Sequence, residues 1–200
     1  MKNMEILEQL SYVKMVIPDS RRATNRFGAG YIIWGLAIGS ASLLEYLQLK
    51  GIFVSEFYNS AALWATVILA AFVIHMLVYW FFAQKKRSVS FAERIVNQIW
   101  VSGIIAINIL NLAAAKDQHL NAYACIAVII AFAVYINGFV ADLKFFQALG
   151  LVWAISALVM FQVGLETAML IGGILYLGGF ALPGVVLVVL EKKQNSRERI

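Results

Sequence analysis

Six stretches of the chain run apolar for about 20 residues each, separated by short polar segments that carry almost all of the charge. At about 1.5 Å of rise per helical residue, such a stretch crosses roughly 30 Å of hydrocarbon. The pattern therefore predicts an all-α, polytopic membrane protein, with spans at 27–49, 61–82, 95–115, 120–139, 146–163 and 168–190. Ahead of the first span, Ile6, Leu10, Val13 and Ile17 share a helical face turned away from Glu5 and Glu8. That spacing predicts a short amphipathic helix over 1–17, which lacks the continuous apolar core and the small-residue cleavage site of a signal peptide. Pro18, Asp19 and Ser20 then break the helix, and Arg21, Arg22 and Arg26 form a cationic collar. The expected organisation is a cytoplasmic segment (1–26), a six-helix membrane domain (27–190) and a basic tail (191–200).

The third apolar run differs from the others in carrying Asn97, Asn108 and Asn111. At 3.6 residues per turn these fall within about 60° of one another, on a stripe shared with Val101 and Ile104. An unpaired amide in hydrocarbon costs several kcal/mol, so the stripe is expected to face other helices or a wet cavity inside the bundle.

Composition agrees with this picture. Of 200 residues, 62% are hydrophobic and only 14% charged, and six spans leave no length for a separate soluble domain. The net charge of +5 comes from Lys and Arg beside the spans, so it reads as membrane topology rather than nucleic-acid binding. Fourteen of the 16 Lys and Arg lie on one side of the predicted membrane, against Lys50 and Lys116 on the other. Both termini are accordingly expected in the cytoplasm of a cell-membrane protein.

Short loops predict an up-down bundle with consecutive helices adjacent. Gly28, Gly35, Gly39 and Ser42 make a small-residue stripe on the first span, and the sixth carries Gly172, Tyr176, Gly179 and a bend-inducing Pro183. The six-span plan with cytoplasmic termini, together with Gly35, Ala37, Gly39 and Ala41, resembles the substrate-capture subunits of energy-coupling-factor vitamin transporters. That resemblance implies ligand capture from outside and docking through the small residues of the first helix.

Candidate chemistry gathers in the outer half. Counting depth along each span places Glu45 about 25 Å from the cytoplasmic edge and Asn108 and Asn111 at roughly 20 to 24 Å. Trp64 opens the second span and Asn121 the fourth. Glu45, Trp64, Asn108, Asn111 and Asn121 are the expected lining of an outward-facing small-molecule pocket, with Glu45 holding a cationic group. Catalytic machinery is not expected. His75 and His119 sit at opposite ends of the membrane, Cys125 is lone, and no nucleophile-base pair, phosphate loop or metal motif is present. His75 reads as a hydrogen-bonded structural residue, and no metal or cofactor is expected. A non-enzymatic binding protein, serving as a transporter component, is the first expectation. The alternative is a regulatory or accessory protein whose basic cytoplasmic face engages a partner protein or anionic lipid.

Overall fold

The computed structural model describes residues 23–52, 59–83, 91–114 and 120–197. The expected amphipathic helix at 1–17, its Pro18 break, the basic loop at 85–87 and His119 lie outside them. The described residues contain no strand. They form α1 (Gly28–Leu49), α2 (Ser60–Ala83), α3 (Phe91–Ala114), α4 (Ala122–Val140), α5 (Lys144–Gln162) and α6 (Leu165–Tyr176). A π-helical turn (Leu177–Ala181) continues α6 into α7 (Leu182–Arg197). Counting α6 to α7 as one rod, six helices are long and apolar enough to cross a membrane. The last rod starts at Leu165 and continues to Arg197, so residues 191–197 are helical.

The bundle is built around a helical hairpin, α4 and α5. Its turn closes with two hydrogen bonds, Leu143 N–H to the Gly138 carbonyl (2.8 Å) and Asp142 N–H to that of Phe139 (3.2 Å). This is the Schellman pattern, with Asp142 at φ 51° in the left-handed position that ends a helix. Glycine makes the close approach possible: a Cβ on Gly150 would lie 2.7 Å from Tyr135 Cβ and 2.8 Å from its backbone nitrogen.

The α6–π–α7 rod lies along α1 on a seam of small residues. A Cβ on Gly28 would meet the Gly184 carbonyl at 2.9 Å, and one on Gly35 would meet the Ala181 nitrogen at 2.5 Å. In hydrocarbon, where apolar burial drives little, such backbone contact supplies dispersion energy. The stripe expected on the first span is thus present, and it is filled from within the chain. Gly35 and Ala41 are buried there, so they offer no free docking face of the kind the vitamin-transporter resemblance implies.

Pro183 acts through the π turn. Having no N–H and a ring that crowds the preceding turn, it is accommodated by a widened segment in which Leu182 N–H bonds the Leu177 carbonyl five residues back. Six aromatic rings then meet in the core. Trp153 packs on Tyr176 (5.2 Å) and Phe180 (5.6 Å), and Tyr31 packs on Trp100 (5.4 Å), Phe146 (5.4 Å) and Phe180 (4.9 Å).

Two helices lie at the edge of this core. Among the described residues α2 packs mainly on α1, while α3 packs mainly on α4 and lends Trp100 to the aromatic cluster. Consecutive helices are therefore not all neighbours, since α2 and α3 are not packed side by side. Among the residues whose burial is described, α2 buries only Ala71 and α3 only Val96 and Gly103.

Candidate functional site

The buried carboxylate of Glu45, 8% exposed, is the most heavily coordinated polar group among the described residues. It lies near the C-terminal end of α1, where α2 begins beside it. Ser60 and Trp64, one helical turn apart on α2, both turn toward it. The Ser60 hydroxyl donates to Oε1, and the Trp64 indole N–H donates to Oε2 at 2.6 Å. The Tyr123 hydroxyl, from the first turn of α4, donates to Oε2 at 3.4 Å. Gly172 of α6 leaves room for the Tyr123 ring, whose Cδ1 would lie 3.1 Å from a Cβ at that position.

Electrostatically the arrangement is incomplete. Neutral hydrogen bonds to a carboxylate stabilise it by about 1.5 to 3 kcal/mol each, while removing the charge from water costs several kcal/mol. No described Lys, Arg or His contacts Glu45. The nearest cation along α1, Lys50, is instead paired with Glu166 at the start of α6. Among the described residues the site is therefore a carboxylate framed by three neutral donors, two of them aromatic side chains.

Of the five residues expected to line a pocket, Glu45 and Trp64 are in direct contact. Asn121 lies at the same end but is committed within the chain. Its carbonyl oxygen caps α4 through Ala124 N–H (3.2 Å), and its amide donates to the Met160 carbonyl of α5 (2.7 Å). Asn108 and Asn111 depart from expectation. Both are exposed on the outside of α3, as is Asn97. α3 turns Val96, Trp100, Gly103 and Ile107 toward the core, a face about 100° around the helix from the amide stripe. Asn108 satisfies part of its need by donating to the Ile104 carbonyl one turn back, at 2.8 Å. The expectation that the stripe faces the bundle interior is thus overturned, because larger apolar side chains compete for that face and win it.

Ser60 and Tyr123 escaped the sequence reading. Both carried a usable signal: Ser60 precedes Trp64 by one turn, and Tyr123 follows Asn121 at the same end of the bundle. His75 also differs from expectation. Its ring packs 6.4 Å from that of Trp34 and against Gly30, while Nδ1 has no hydrogen-bond partner among the described residues. Asn137 is fully buried beside Tyr31, and neither of its amide atoms makes a hydrogen bond of good geometry among the described residues.

Two clefts are present elsewhere. One, of about 600 Å³, lies at the opposite end among Asn25, Asp142, Lys144, Lys193 and Gln194. The other, of about 700 Å³, is an apolar groove between α3 and α4 flanked by Gln98, Ser102 and Phe132. Neither of these two is lined by Glu45. Among the described residues, no three His, Cys, Asp or Glu side chains gather where a metal ion could sit. No family model, no curated protein and no solved structure matches this chain.

Proposed function

We propose that the chain is an integral membrane protein, with both termini in the cytoplasm, that binds a small positively charged molecule at Glu45 from the outer side, as a component of a transport system. The observation that carries this reading is a carboxylate 8% exposed whose partners among the described residues are all neutral donors. An intramembrane carboxylate of this kind is expensive, and cation or proton binding is its common use. Trp64 and Tyr123 bring aromatic rings beside the carboxylate, and turning their faces to a bound ammonium group would favour it. Because α2, among the described residues, packs mainly on α1, a ligand can exchange for Ser60 and Trp64 without disturbing the aromatic core.

Thermal unfolding of the purified protein with a panel of primary and quaternary ammonium compounds tests the proposal. A compound at 100 times its dissociation constant adds about 2.7 kcal/mol to stability. Glu45→Gln, which keeps the shape and two neutral hydrogen-bonding groups, is expected to abolish that gain while the free variant unfolds within a few degrees of the parent. An equal gain in the Gln variant, or no gain with any compound in the parent, removes the site.

The basic cleft favours a second reading, an accessory protein acting through its cytoplasmic face, because Lys144 and Lys193 both line it. In that case Lys144→Glu with Lys193→Glu abolishes binding to anionic vesicles and leaves the ammonium response intact.

A further inference from the structure

The exposed amide stripe of α3 has a spacing that single-helix packing does not require. Asn97, Val101, Ile104, Asn108 and Asn111 follow one another at intervals of four, three, four and three residues. That is the 3.5-residue repeat of a coiled-coil seam, with Val101 and Asn108 at a positions and Asn97, Ile104 and Asn111 at d positions. All five point away from the chain's own core: Val101 is 48% and Ile104 54% exposed, and the three asparagines are exposed as well. The seam runs for about 21 Å, most of the thickness of the hydrocarbon. Among the described residues, only the Ile104 carbonyl bonds to any of these amides.

We infer that this seam joins two copies of the chain as a parallel, left-handed pair of α3 helices. The inference rests on the reading that the helices cross a bilayer, and not on the ligand site at Glu45. Three features select a second copy over lipid or an unrelated helix. A primary amide carries both a donor and an acceptor, so it is complementary to another amide and mismatched to an acyl chain. Two copies inserted with one topology are related by a two-fold axis along the membrane normal, which sets each a and d residue opposite its own counterpart at equal depth. Three amides at three depths are thereby matched at once, whereas a different partner would need its own amides in the same register. Finally, a single asparagine at an a position, Asn108, specifies register and oligomer state in such a seam. The pairing also accounts for Asn108 and Asn111 on a face where lipid could not satisfy the amide groups left over after the Asn108 bond to the Ile104 carbonyl.

The test uses the full chain with Cys125→Ala, purified and reconstituted in phosphatidylcholine vesicles over a wide range of lipid dilution. Single-cysteine variants Ile104→Cys, Asn108→Cys and Asn111→Cys are expected to form covalent dimers on mild oxidation. Ile109→Cys and Phe132→Cys, at 61% and 65% exposed positions off the seam, are expected not to. Single-molecule photobleaching of labelled parent protein should give two steps, and Asn108→Leu with Asn111→Leu should weaken dimerisation about tenfold or more. The inference is overturned by single-step bleaching, by cross-linking at Ile109 equal to that at Asn108, or by a double variant within twofold of the parent. A chain that alkaline carbonate strips from the vesicles overturns it differently, by removing the membrane reading on which it stands. Loss of ammonium binding in Glu45→Gln with dimerisation unchanged keeps the two proposals apart.

Discussion

The hairpin of α4 and α5 and the outlying pair α2 and α3 are made of similar residues, yet they are held by different means. In the hairpin, glycines let backbones touch, and aromatic rings from α1, α3, α5 and the last rod fill the remaining space. α2 turns one side toward α1 and leaves Ile68, Leu69, Phe72, Val73 and Leu77 outside. On the reading that these helices cross a bilayer, apolar contact alone gains little, because lipid offers the same contact. What separates the regions is therefore backbone proximity and hydrogen bonding, not hydrophobicity. The core has the former, and the outlying helices depend on a few polar groups.

The largest effect should come from glycine. At Gly150 an added Cβ would sit 2.7 to 2.8 Å from the backbone and Cβ of Tyr135, atoms that cannot rotate away. Gly150→Val is expected to cost about 3 kcal/mol or more, at or beyond the upper end of overpacking penalties. Gly103, on α3, is the counterpart: a Cβ there would meet Ile129 Cγ2 at an ordinary 3.7 Å. Gly103→Ala should be neutral or add up to about 1 kcal/mol through helix propensity. Reversible unfolding in mixed micelles measures both. Similar losses at the two positions would erase the distinction between core and periphery.

Helix number, helix length and the glycine stripe of α1 could be read from sequence because each depends on local composition or spacing. Which glycines of the last rod meet α1 could not. Gly172 and Gly179 face Tyr123 and Trp153, while Gly173 and Gly184 meet α1, a rotation affected by the π turn ahead of Pro183. Glu45 and Trp64 were recoverable because a carboxylate and an indole are conspicuous among apolar residues. The asparagines misled for a physical reason. Amide chemistry says that a partner is needed, but not that the partner belongs to the same chain.

Asn137 probes the comparison from inside the core. It is fully buried on α4, and neither of its amide atoms makes a hydrogen bond of good geometry among the described residues. A buried polar group left unsatisfied costs about 1 to 3 kcal/mol. Asn137→Leu, close in volume, should therefore raise stability by about 1 to 2 kcal/mol, measured by the same unfolding experiment. A loss of that size would instead show that ordered water fills the space between Asn137 and Tyr31, making this part of the core hydrogen-bonded as well as close-packed.

The smallest effect is expected where charge is fully wet. Lys50 and Glu166 form an ion pair between the end of α1 and the start of α6, with side chains 45% and 47% exposed. The Glu166 carboxylate accepts a hydrogen bond from the Lys50 amine and attracts its charge, which raises the lysine above its usual range. A group whose folded pKa is raised contributes fully below its unfolded value, about 10.4 for lysine, and loses that contribution only as pH climbs through the folded value. Stability between pH 6 and 9 should thus be insensitive to this pair. Lys50→Met and Glu166→Gln should each be indistinguishable from the parent, with any residual difference vanishing in about 1 M salt. A clear loss in either variant at neutral pH would mean that α1 and α6 are joined at this end by charge as well as by glycine contact, and the line between the two regions would have to be redrawn.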